Sequence, residues 1–143
     1  MAKKKEKYSL ESPEVPHHLS ESEVLYWLRN KKIDYSYLNL LKASSMMPDE
    51  VLAGWLNISV KTLRNYRNPE NKIRDNIKEQ ILLLIAIYRH GNDVFGDEAR
   101  FNQWLNTENF FFDKSAPATL LNTISGIRFV DNRLSAMEHG DNI

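Results

Sequence analysis

The sequence predicts an all-α protein, and three observations carry that expectation. Apolar residues recur at three- and four-residue spacing through most of the chain. Runs of β-branched residues are scarce, and only five glycines and five prolines punctuate 143 residues. The stretch 50–68, EVLAGWLNISVKTLRNYRN, reads as a helix, a tight turn and a second helix.

Residues 1–19 read as a flexible tail. Lys3, Lys4, Lys5 and Lys7 make it basic, and Pro13 and Pro16 interrupt any helix. Residues 20–90 form an N-terminal helical domain. Its first helix spans about 20–32, where Ser20 and Glu23 make a capping box and Val24, Leu25 and Leu28 an apolar stripe. A second, about 34–43, carries Tyr37, Leu38, Leu40 and Leu41. Pro48 followed by Asp49 and Glu50 starts the third.

The helix-turn-helix is the most informative stretch. Val51, Leu52, Trp55 and Leu56 make one face apolar, and Ala53 is small enough for a close crossing. Asn57 tolerates the left-handed conformation that ends a helix, standing where glycine is usual. Ser59 caps the next helix by accepting from the backbone N–H of Lys61 or Thr62. Ile58, Leu63 and Tyr66 then face inward. The outward set predicted to meet DNA is Ser59, Lys61, Thr62, Arg64, Asn65 and Arg67, with Arg64 suited to guanine, Asn65 to adenine, and Lys61 and Arg67 to phosphates. The bland alternative is a helical hairpin with a solvated basic face.

The longest helix is expected over 72–90, ended by Gly91. Ile73, Ile77, Ile81, Leu84, Ile85 and Tyr88 form its stripe, which Leu82, Leu83 and Ile87 widen, so it is either a central post or a dimer seam. Residues 91–143 make a second helical domain. After a loop at 92–96, a short helix at 97–106 turns Phe101, Trp104 and Leu105 inward. Phe110, Phe111 and Phe112 follow, three aromatics that cannot all face one core. Ser115 and Pro117 open another helix, Gly126 gives a corner or a close crossing, and Ile127, Phe129, Val130, Leu134 and Met137 line the last one.

Composition narrows the function. Net charge is zero, but residues 43–90 hold seven Lys/Arg against five Asp/Glu, while residues 91–143 hold four against eight. The middle is mildly basic and the C-terminal part acidic, so DNA binding would need doubling through a homodimer. With no cysteine, disulfides and thiolate chemistry are excluded, which fits a cytoplasmic protein. No run approaches the roughly 20 apolar residues of a membrane span. The basic start MAKKKEKYSL has no apolar segment behind it and is no secretory signal. His17, His18, His90 and His139 stand in no metal-ligand spacing, and neither a phosphate loop nor a nucleophile motif is present. No cofactor, metal, small-molecule substrate or enzymatic activity is expected.

The C-terminal part then becomes specific. Gly91, Val94-Phe95-Gly96, Phe101 and Trp104-Leu105 are followed by Ala116-Pro117-Ala118-Thr119-Leu120-Leu121-Asn122-Thr123, and then by Gly126, Val130, Leu134, Glu138 and Gly140. This ordered set resembles the toxin-binding domain of Xre/MbcA/ParS-type antitoxins, with the helix-turn-helix where that family carries its Xre-like DNA-binding domain. The resemblance spans roughly 45–143. It departs at Asn57 and at Phe112-Asp113-Lys114-Ser115, a loop the family often fills with glycine. It implies an Xre-like domain followed by a small helical toxin-binding domain, in a homodimeric antitoxin that blocks a RES-domain, NAD-consuming toxin and represses its own operon through operator DNA. Arg128, Asn132, Arg133, Glu138, His139, Gly140 and Asp141 are the expected toxin contacts, with the acids serving as an anionic plug for a cationic NAD cleft. The alternative is a helix-turn-helix regulator with a sensing or dimerisation domain that meets no toxin.

Overall fold

The computed structural model describes residues 13–140. The basic run at Lys3 to Lys7 and the expected contact Asp141 lie outside them. Among the described residues there are seven α-helices, two 3-10 turns and no strand: α1 Glu21–Asn30, α2 Tyr35–Ser45, α3 Asp49–Leu56, α4 Val60–Tyr66, α5 Asp75–Phe95, α6 Glu98–Leu105, the turns Phe110–Phe112 and Pro117–Leu120, and α7 Ile124–Glu138. None is long and apolar enough to cross a membrane.

Local chemistry sets most boundaries. The Ser20 hydroxyl accepts from the Glu23 N–H while the Glu23 carboxylate accepts from the Ser20 N–H, the reciprocal box that starts α1. At α2, α4, α6 and α7 the side chains of Asp34, Ser59, Asp97 and Thr123 each accept from one free backbone N–H of the first turn. Asn57 ends α3 at φ 58°, and the Ile58 N–H reaches back to the Ala53 carbonyl at 3.0 Å.

Helix α5 is the axis. Every residue from Ile81 to Tyr88 is buried, and α1, α2, α3, α6 and α7 all pack on it. The wide apolar stripe is thus filled inside one chain, and α5 offers no apolar face to a second copy. Gly91 does not end it: the helix runs on to Phe95 and stops at Gly96 in the left-handed conformation. Gly91 is there for space, because a Cβ would fall 2.3 Å from the Phe101 ring of α6. The helix crosses the expected boundary at 90/91, and one cluster of buried residues joins both sides of it.

Three further expectations change. The described part of the expected tail is packed: Val15 and Leu19 are 1% and 2% exposed, despite the prolines. Residues 117–120 form a 3-10 turn with no side-chain cap from Ser115. Phe129 is 53% exposed, off the stripe that Ile127, Val130, Leu134 and Met137 bury.

Gly126 is the tightest crossing, since a Cβ would stand 1.8 Å from the Leu120 carbonyl oxygen, whereas at Gly54 nothing lies within 4 Å. Gly126→Ala is expected to lower stability by about 1–3 kcal/mol or more. Gly54→Ala, in the interior of α3, is expected to raise it by about 0.5–1 kcal/mol. Thermal melts of the two variants against the parent check both signs.

Candidate functional site

Two surfaces are built on this core. The first is the outer face of α4. Leu63 and Tyr66 are buried, which turns Lys61, Arg64 and Asn65 to solvent. The other three residues predicted for DNA are engaged within the fold. Ser59 accepts from the Thr62 N–H, and its hydroxyl donates to Thr62 Oγ1 at 3.0 Å. Arg67 grips Asp49 with both terminal nitrogens, at 2.8 and 3.3 Å.

Asp49 is the hub of that region. Lys42 of α2 reaches it at 3.0 Å and Arg64 at 3.5 Å. Hydrogen bonds from Arg67 and then Lys42 hold its carboxyl well below the usual carboxylate range. One acid in the first turn of α3 therefore ties α2 to the end of α4 and steadies the α4 face.

The second surface lies on α7 and the Phe110–Phe112 turn. Phe112 is buried, while Phe110 and Phe111 are 83% and 47% exposed. A file of rings runs outward from the core: Tyr88 to Phe101 at 5.1 Å, Phe101 to Trp104 at 6.1 Å, Trp104 to Phe112 at 5.8 Å and Phe112 to Phe129 at 5.3 Å. Phe111, Phe112, Phe129, Asn132, Arg133 and Ala136 line an open cavity of about 200 Å³. The Arg133 guanidinium lies 3.5 Å from the centre of the Phe111 ring.

The loop after these phenylalanines is held in an unusual shape. Asp113 and Lys114 are both left-handed, at φ 55° and 64°. Left-handed backbone costs a residue with a Cβ about 1–2 kcal/mol, so these two successive positions are strained. Asn109 holds the loop together: its side chain accepts from the Phe111 N–H, its carbonyl from the Lys114 N–H, and its own N–H donates to the Ser115 carbonyl.

The predicted contacts on α7 divide. Asn132 is exposed and Arg133 lines the cavity. Arg128 faces the N-terminal segment, donating to the Leu19 carbonyl and lying 3.6 Å from Glu21. His139 bonds the Ser135 carbonyl at 2.7 Å, and Gly140 is exposed at φ 100°. Glu138 turns back to Nε2 of His90, so one of its oxygens is held by the core and the expected anionic plug loses part of its charge.

His90 itself escaped the sequence reading. It is 1% exposed, with Asp131 on Nδ1 at 2.6 Å and Glu138 on Nε2. His17 lies over it with ring centres 5.6 Å apart, and His18 reaches Asp131 at 3.4 Å. Burial opposes charge on His90, but its hydrogen bonds to both carboxylates prevail and its pKa is pushed up to about 9. At neutral pH it is an imidazolium donating from both nitrogens. No group of three or more His, Asp or Glu among the described residues is arranged to hold a metal ion.

The two surfaces are joined by polar bridges. The Trp55 indole donates to the Ala118 carbonyl at 3.1 Å, and Asn57 donates to the Asn122 carbonyl at 2.8 Å. Gln80 of α5 spans the carbonyls of Trp55 and Asn122. Asn57 thus does two things where glycine would do one: it adopts the left-handed turn and anchors it to the C-terminal part.

This C-terminal part is helical, with α7 packed along α5. Residues 90–140 match the family model of the antitoxin Xre/MbcA/ParS C-terminal toxin-binding domain. Over that stretch the chain is similar to the toxin-binding domain of Xre/MbcA/ParS-type antitoxins. In a comparison with curated proteins, nothing matches.

Two outcomes are expected from these contacts. The folded pKa of His90 exceeds the ordinary 6.5, so its stabilisation is fully present below pH 6.5 and lost as pH rises through about 9. The loss is on the order of 3 kcal/mol. Urea midpoints between pH 6 and 9.5 should fall with that profile, and His90→Gln should flatten it. Lys114→Gly should stabilise by roughly 0.5–1 kcal/mol, since glycine relieves the left-handed strain but frees the unfolded chain. An unchanged or lower melting temperature would count against strain in this loop.

Proposed function

We propose that this chain is the antitoxin of a RES-type, NAD-consuming toxin. It neutralises that enzyme by laying its C-terminal domain over the toxin's active site, and it represses its own operon through α4. The observation that carries the reading is the match of residues 90–140 to a toxin-binding domain. The exposed rings of Phe110, Phe111 and Phe129 support it, because large apolar side chains in water on such a domain suit a protein partner.

The DNA-binding part rests on Lys61, Arg64 and Asn65, which stand exposed on a short helix capped and packed as a recognition helix is. Arg64 reads guanine, Asn65 adenine, and Lys61 meets phosphate. The excess of two positive charges over residues 43–90 supplies little affinity by itself, so the chain binds as a homodimer on two half-sites. With α5 buried, the second copy meets this one elsewhere.

A growth assay tests the toxin pairing. Induced alone, the adjacent open reading frame should arrest growth; the full chain should restore it, and the chain cut after Gly126 should not. A harmless neighbour removes the pairing and leaves a helix-turn-helix regulator with a sensing or dimerisation domain. For DNA, Lys61→Glu with Arg64→Gln should weaken binding to the chain's own promoter fragment about 100-fold. Glutamine is used at 64 because a carboxylate there would face Asp49. Equal mobility shifts for variant and parent would sink the operator role.

A further inference from the structure

The geometry points to the three exposed phenylalanines as one preformed anchor site for the toxin. This rests on the antitoxin reading and specifies which face of the domain meets the partner and what that face accepts.

Seven large apolar side chains are exposed among the described residues: Leu25, Tyr26, Tyr35, Met46, Phe110, Phe111 and Phe129. The last three share one place. Phe110 stands 6.0 Å from Phe111, edge to face, and Phe111 and Phe129 wall the same cavity. The site has a floor, because Phe112 beneath it is buried and packs edge-on against both Trp104 and Phe129.

The site is also held open. Two successive residues, Asp113 and Lys114, are left-handed, and the Asn109 bonds fix the turn. Strain that the surrounding structure enforces, beside large apolar rings left in water, marks a surface shaped for contact. Rings already fixed lose little freedom on binding, which favours affinity.

The chemistry of the occupant follows from the cavity. Its walls are the rings of Phe111, Phe112 and Phe129 and the methyl of Ala136, with Asn132 and Arg133 also lining it, and its volume is about 200 Å³. That suits one aliphatic side chain, a Leu, Ile or Met, projecting from the toxin surface, with Phe110 lying against the toxin beside it. The occupant is the toxin rather than a second copy because every residue of the site falls within the matched toxin-binding stretch.

The test uses the full chain and the catalytically silenced product of the adjacent open reading frame, with affinity measured by calorimetry. Phe110→Ser and Phe129→Ser should each weaken binding about tenfold, and the double variant 100-fold or more. Ala136→Trp, which fills the cavity, should weaken it by a similar factor without removing any ring. Leu25→Ser with Tyr26→Ser, equally exposed but on α1, should bind as the parent does. Melting temperatures and sedimentation accompany each variant. If the parent binds and the double variant stays within threefold of it, the anchor site is wrong while the antitoxin reading stands. If the double variant loses self-association and keeps its toxin affinity, the face belongs to a second copy and the inference is overturned. If the parent itself does not bind, the antitoxin pairing and the anchor site fall together.

Discussion

Everything in this molecule depends on burying α5 on all sides. Eight consecutive residues, Ile81 to Tyr88, are buried. An amphipathic helix needs cover on one side, but this one needs it all round, and only a ring of partners supplies that. α2 and α1 cover it from the N-terminal part, α6 and α7 from the C-terminal part, and α3 from the helix-turn-helix. The segment 13–19 adds Val15 and Leu19 to the same cluster. Neither the α4 face nor the aromatic face has a core of its own. Each is the outer side of an element whose inner side belongs to α5 or to its neighbours.

Polar groups fix how that apolar ring is assembled. Hydrophobic burial is non-directional, so packing alone leaves helices free to slide. Asp49 ties α2 to the end of α4, and Trp55, Asn57 and Gln80 tie the helix-turn-helix to the 116–123 segment. His90 ties α5 to two positions on α7, seven residues or two turns apart. A buried ion pair adds little net stability over apolar packing, but breaking one is costly, so these contacts select a single register.

The sequence was most legible where the signal was local. Ser20 and Ser59 act where their own short side chains reach the backbone within three residues, Asn57 ends α3 through its own left-handed backbone, and all three do as expected. The inward faces of α2 through α6 follow from helical spacing in the same way, whereas on α1 spacing assigns Leu25 to the apolar stripe and the fold leaves it 53% exposed. The resemblance of the C-terminal part to a toxin-binding domain was also visible, because it rests on an ordered set of residues rather than on contacts. What failed was long-range. Spacing reads Gly91 as a helix end, although its role is to admit a ring from another helix. It reads residues 13–19 as tail, because prolines outweigh two apolar residues whose place in the core depends on distant helices. His90 had no visible partner because its carboxylates are 41 and 48 residues away. Within the candidate site, Asn132 is exposed and Arg133 lines the cavity, while spacing assigns Phe129 to the core and does not show that Asp49 holds Arg67. Spacing does not reveal which of several periodic residues falls off the stripe, nor which cation an acid on another helix will claim.

The enclosure of α5 also governs how long the molecule lasts. Segments become accessible to proteases by opening locally, and they do so where few apolar contacts hold them. Between Ile81 and Tyr88 there is no such place, so cleavage there waits on unfolding of the whole. Both the α4 face and the aromatic face are carried by elements packed round this helix or its neighbours, so global unfolding removes the two together.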